Sequence, residues 1–198
     1  MRGLAFVLTA LVAFLLFPGR VQATEPLDVV RIGVDRVIGI LKDPKLKGPE
    51  RESERREAIR SAIKNIFDFS EMARRSLSRQ WRKLDDSQRK EFVGLYRGLL
   101  ERTYLKRIEA YKNERILYKG QRKRGKYAIV KTLVVTSKQT QIPVDYKLLK
   151  RQDGWVVYDV IIEGVSLINN YRRQFKSIIR KSSYEGLVRM LKEKNKES

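Results

Sequence analysis

Cysteine and histidine are both absent from the 198 residues. Their absence removes thiolate and imidazole together, and with them the commonest nucleophiles, the base that titrates near neutral pH and the sulfur and nitrogen ligands of zinc sites. Disulfides are excluded too, so the fold stands on its apolar core alone. Long hydrophobic runs are equally scarce. The one uncharged stretch of note, Gly3 to Gly19, follows Arg2 and is succeeded by Val21-Gln22-Ala23, a small-residue cleavage pattern. It falls short of the ~20 residues that a membrane-spanning helix needs. Residues 1–23 therefore read as a cleaved leader and 24–198 as a single exported domain. No glycine-rich phosphate loop is present, and no helix-turn-helix, zinc or RNA-binding signature.

Negative charge is the scarce sign. Asp and Glu number 23 against 44 Lys and Arg, a formal charge of +21, and the leader carries away only Arg2 and Arg20. Such a balance favours an anionic neighbour, and in an exported chain lipid head groups fit better than nucleic acid. The alternative is that the cations are scattered over polar helix faces and loops, where they keep the chain soluble.

What is present divides by period. From Leu27 to about Tyr111 the apolar spacing is helical, and from about Arg115 to Glu163 it alternates as strands do. A first helix over 27–41 buries Val30, Val34, Val37, Ile38 and Leu41 before Asp43-Pro44 breaks the chain. A second, from about Glu50, carries the stripe Ile59, Ala62, Ile63, Ile66, and a third covers 69–79. The longest starts at Asp85 or Asp86, with Gln88 placed for a capping box, and stacks Phe92, Leu95, Tyr96, Leu99, Leu100, Tyr104, Ile108 and Tyr111. Four strands follow, over about 115–121, 126–136, 139–150 and 154–163. Their short separations, Arg124-Gly125, Ser137-Lys138 and Asp153-Gly154, imply an antiparallel meander. Two helices, over 166–180 and 183–193, close an α+β unit. Gly94 and Gly98 fit close packing on the long helix.

The junction after the last strand is the most informative stretch. Trp155-Val156-Val157-Tyr158-Asp159-Val160-Ile161-Ile162 is apolar on both faces apart from Asp159. Glu163-Gly164-Val165-Ser166 then leads into Leu167-Ile168-Asn169-Asn170-Tyr171-Arg172-Arg173-Gln174-Phe175, with Ser166 placed to cap. With Phe67-Asp68-Phe69-Ser70-Glu71-Met72-Ala73-Arg74-Arg75-Ser76-Leu77, Trp81 and Leu84 to Phe92 upstream in the same order, this resembles the MlaC family of periplasmic phospholipid carriers, also called toluene-tolerance proteins. The resemblance spans essentially the whole chain after the leader. It implies an NTF2/cystatin-like sheet and closing helices around a lipid-binding cavity. It further implies a monomer that shuttles phospholipid between outer and inner membranes without catalysis, and that needs no cofactor beyond its cargo. Its implied partners are an inner-membrane ABC transporter complex and an outer-membrane lipoprotein complex, and its implied role is to maintain outer-membrane lipid asymmetry. A sister branch implies a hopanoid or another lipid as alternative cargo. The chain departs from the family in its basicity, with Arg122-Lys123-Arg124 at a hairpin tip, which bears on partner surface and lipid preference.

The residues themselves leave two readings open, since a cavity wall and a packed core use the same side chains. Candidate lining residues are Phe92, Tyr96, Leu99 and Tyr104 on the long helix, and Ile129, Leu133 and Val135 on the second strand. Val144 and Tyr146 on the third and Val156, Tyr158, Val160 and Ile162 on the fourth join them. Val165, Ile168, Tyr171 and Phe175 complete the set. Arg74, Arg75 and Arg172 are head-group candidates through bidentate phosphate contact, or else ion-pair partners of nearby acids. Carboxylate pairs such as Asp68 with Glu71, or Asp159 with Glu163, are conceivable acid–base groups. A helix-start acid more often caps, and a strand-end acid more often faces solvent or an arginine. A ligand-free adaptor docking through its basic face is the remaining alternative.

Overall fold

The computed structural model describes residues 25–196; the leader expected over 1–23 lies outside the described residues. Helices α1 (Pro26–Lys42), α2 (Glu52–Lys64), α3 (Phe69–Leu77) and α4 (Asp86–Glu109) precede strands β1 (Arg115–Arg124), β2 (Tyr127–Val135), β3 (Gln141–Arg151), β4 (Gly154–Ile162) and β5 (Val165–Ser166), and α5 (Leu167–Lys196) ends the chain. The sheet is an antiparallel meander in the order β1-β2-β3-β4-β5. The α+β class and the meander are as the sequence predicts. The fifth strand is an addition: Glu163 (φ 49) and Gly164 (φ 80) form a two-residue turn that pairs Ile162 with Val165.

Local chemistry accounts for the helix ends. Pro26 opens α1 at a position where a missing N–H costs nothing. Asp68 accepts the Glu71 N–H at the start of α3, and Asp85 and Gln88 exchange bonds in a full capping box on α4. The helix predicted to run to Arg79 stops at Leu77, where Ser78 takes φ 54 and a short 3₁₀ turn follows. The two predicted closing helices form one run, interrupted where Ser182 (φ −144) and Ser183 (φ 70) leave helical backbone.

Register sorts the sheet's side chains. Val130 faces Tyr146, Val134 faces Ile142, and Tyr146 faces Val160, all on the inner side. Strict alternation would add Val156 and Tyr158 to that side. Instead the pairing steps from Lys147↔Asp159 to Leu148↔Val157, leaving Tyr158 as an extra residue in a bulge. One extra residue exchanges the faces, so Trp155, Val157, Val160 and Ile162 point inward and Val156, Tyr158 and Asp159 outward.

Two cores result. Around the inner face near the β1–β2 and β3–β4 turns, Val29 and Val30 of α1 pack on Ala128, Val130, Leu148, Trp155 and Val157. The other core lies among α3, α4 and α5. There Phe92, Tyr96, Tyr171 and Phe175 interlock, with ring centroids 5.4–5.7 Å apart in the edge-to-face pairs Phe92–Phe175, Tyr96–Tyr171 and Tyr96–Phe175. Gly98 lies so close to the Asn195 side chain that a Cβ would sit 2.8 Å from it, whereas Gly94 meets open space, so only one of the two glycines serves packing.

Candidate functional site

A cavity of about 620 Å³ lies between the inner face of the sheet and helices α1, α2 and α4. Its position follows from how α1 is tethered. Near its start, Gln121 accepts the Leu27 N–H (2.8 Å) and Lys123 pairs with Glu25 (2.8 Å), which hold α1 at the turn end of β1. Val29 and Val30 seal that end of the sheet. Further along, Val34, Val37, Ile38 and Leu41 are only half-buried, because they face the cavity and not a packed neighbour. Opposite stand Ile116, Val134, Ile142, Val144, Tyr146, Val160 and Ile162 from the sheet. Ile59 and Ile63 come from α2, and Leu100, Tyr104 and Ile108 from α4.

The wall is almost wholly apolar. Tyr146 brings a phenol to it, and burial, with a smaller contribution from Tyr118, pushes that phenol up to about 12, so it stays neutral. Among the described residues, charge on the wall is confined to Arg60, Glu101, Arg107, Glu114 and Glu163. Among the described residues no group of His, Cys, Asp or Glu is placed to hold a metal ion, and no helix is long and apolar enough to cross a membrane.

Of the residues the sequence nominated, the structure gathers Tyr104, Val144, Tyr146, Val160 and Ile162 on the cavity wall. The rest stand elsewhere. Phe92, Tyr96, Ile168, Tyr171 and Phe175 are buried in the helical core, with Leu99 packed against it. Ile129, Leu133, Val135 and Val156 occupy the outer face of the sheet by register, and Val165 is exposed. Tyr158 is on that face too, turned there by the bulge, with the Arg75 guanidinium 4.1 Å from its ring centroid.

The head-group candidates are likewise displaced from the cavity wall. Arg74 and Arg75 bind buried Glu71, at 2.6 and 2.7 Å, and Arg172 donates to the Arg75 carbonyl at 2.9 Å. Burial pushes the Glu71 carboxyl up, but the hydrogen bonds and charges of Arg74 and Arg75 outweigh it and hold the group at about 2. Asp159, which the sequence placed toward solvent or an arginine, is buried. It accepts from Ser166 Oγ (2.7 Å), the Ile168 N–H (3.1 Å) and Lys147 Nζ (3.3 Å). Ser166 in turn accepts the Asn169 N–H at 3.1 Å, so the strand–helix junction is held by a relay of bonds, while Asp68 caps α3 and shares Arg151 with Glu71, at 2.7 and 3.3 Å. Sequence reading placed the α1 and α2 residues in a buried stripe and not on a cavity wall. Their wide apolar faces were the available signal.

The geometry agrees with what is found among known proteins. The family model described as MlaC protein matches residues 33–193. The chain belongs to the MlaC family. It is 20% identical, over 190 residues, to the intermembrane phospholipid transport system binding protein MlaC of Haemophilus influenzae, covering 93% of this chain and 87% of that one. It also superposes, with a TM-score of 0.80 and 27% identity, on a phospholipid-binding protein of Ralstonia solanacearum solved in complex with a phospholipid, covering 88% of this chain and 98% of that chain. The match to the MlaC family thus reaches from within α1 to near the end of α5 and includes every element that lines the cavity.

Proposed function

We propose that this MlaC-family chain is a phospholipid-binding carrier that moves lipid between outer and inner membranes, with the acyl chains held in the cavity between α1, α2, α4 and the sheet. The cavity carries the reading. The cavity of about 620 Å³ is partly open to the surface, and a closed, unfilled void of that size, at ~24 cal/mol per Å³, would cost on the order of 15 kcal/mol, as much as the whole stability of a typical domain. A fold keeps such a volume when it opens to the surface and accepts an apolar ligand. Each acyl CH₂ moved from water into that wall contributes ~0.8 kcal/mol, so chains seated there leave slowly without help. Release then belongs to a docking partner.

On this reading the leader over 1–23 delivers the protein to the periplasm. Its partners there are an inner-membrane ABC transporter complex and an outer-membrane lipoprotein complex, and the transfer maintains outer-membrane lipid asymmetry without catalysis. Native mass spectrometry of protein purified without detergent, followed by solvent extraction, tests it. A bound phospholipid mass is the expected result. A bare protein mass that persists after incubation with phospholipid vesicles would overturn it.

A further inference from the structure

The sheet has a second face that the cavity does not use. Ile116, Val134 and Ile142 form one row across β1, β2 and β3 and line the cavity, so the neighbouring row, Leu117, Leu133 and Pro143, points the other way. Arg122, Ile129 and Lys147 form a second outer row, with Lys131 between the two. Helix α1 packs on the inner face, and α3 and α5 pack at β4. The outer side of β1 and β2 is left open. Leu117 is 37% exposed and Tyr127 39%, and Arg115, Arg122, Arg124 and Lys131 are exposed as well.

Those four cations enter no ion pair among the described residues, whereas Lys147 on the same face is held by Asp159. Asp145 is the one acid that the register sets on the outer face of these three strands. Arg115 and Arg124 stand at opposite ends of β1, roughly 30 Å apart at the rise of an extended strand. Charge is thus dispersed along a strip whose middle is aliphatic. A protein partner would call for a central cluster of aromatic side chains, and the middle of the strip has none. An anionic bilayer calls for dispersed cations with shallow apolar side chains between them.

We propose that the outer face of β1 and β2 docks on a bilayer containing anionic phospholipid, with Arg115, Arg122, Arg124 and Lys131 facing the phosphates and Leu117 and Leu133 reaching the interface. The proposal is independent of what the cavity holds, and docking leaves the cavity wall, on the opposite face, untouched. Each cation brought to such a surface strengthens partition about fivefold, an effect that salt screens.

The test is co-sedimentation of the exported protein, freed of its leader, with vesicles of phosphatidylcholine and with vesicles of a two-to-one mixture of phosphatidylcholine and phosphatidylglycerol. The native protein should bind the mixed vesicles, spare the neutral ones and be released by high salt. R115Q/R122Q/K131Q should weaken that binding about a hundredfold. R173Q/K176Q/R180Q, which removes the same charge from exposed positions on α5, should weaken it less than about tenfold. Absence of binding to the mixed vesicles overturns the proposal and leaves the face to an acidic protein. Equal losses in the two variants overturn it too, by assigning the binding to net charge and not to this face.

Discussion

Arg60 of α2 and Glu101 of α4 meet at 3.1 Å on the wall of the cavity, although 41 residues separate them in the chain. Further along the same two helices, Glu109 accepts from Arg55 (3.1 Å) and Arg56 (3.0 Å). Two of the helices that bound the cavity are therefore latched by ion pairs at partly exposed positions, from 13% exposed at Glu109 to 39% at Arg60. Such pairs are individually weak and sensitive to salt.

E101Q/E109Q should therefore loosen one side of the cavity without unfolding the chain. Transfer of a fluorescent phospholipid from protein to acceptor vesicles should accelerate about threefold to tenfold, and raising the salt concentration should accelerate the native protein toward the variant. Equal rates in the two proteins at low salt would mean that the lipid leaves by another route.

Glu71 should govern acid stability. Its carboxyl, held at about 2 in the folded chain against 4.5 ordinarily, favours the folded state while ionised. That contribution is complete above about pH 4.5 and is lost as pH falls from there toward 2. Arg74 and Arg151, which donate to it, are about half-exposed, so solvent screening reduces its magnitude to ~2–3 kcal/mol. Urea unfolding at pH 7 and pH 3 measures it: E71Q should be destabilised at pH 7 and should show a flatter pH dependence between the two. A native-like slope in E71Q would assign the acid response to other carboxylates.

Periodicity made the architecture legible and left the site half-legible. The stripes of α1, α2 and α4, the meander and the Ser166 cap rest on local spacing, and spacing is in the sequence. The bulge at Tyr158 is not, because residues 155–162 are apolar on both faces and no side chain marks where the alternation slips. That slip moved Val156 and Tyr158 off the wall. The division between core and cavity depends on where α1 diverges from the sheet, which Leu27–Gln121 and Glu25–Lys123, both nearly a hundred residues apart in the chain, determine. Phe92, Tyr96, Tyr171 and Phe175 looked like lining because aromatic residues suit either setting.

Asp159 joins three donors at the strand–helix junction and is 3% exposed. D159A leaves the Lys147 ammonium, the Ser166 hydroxyl and the Ile168 N–H without their acceptor, and should cost about 2–4 kcal/mol in urea unfolding. D159N keeps one carbonyl acceptor and should cost about half as much. Loss below 1 kcal/mol in D159A would show that water replaces the carboxylate and that the junction is held by packing.

Cavity wall and dry core respond oppositely to volume, which separates the two groups of residues that sequence alone could not. Val144 faces the cavity, so V144W has room for its ring and should change stability by less than ~1.5 kcal/mol while displacing acyl chain and cutting lipid retention sharply. Phe175 is 2% exposed and interlocked with Phe92, Tyr96 and Tyr171. F175A should therefore cost about 3–5 kcal/mol, yet the molecules that remain folded should hold lipid as the native protein does. Thermal unfolding paired with quantified bound lipid per folded molecule reads both at once. If V144W retained native lipid content, or if F175A lost lipid in proportion beyond its unfolded fraction, the acyl chains would have to lie among α3, α4 and α5 and not beneath the sheet.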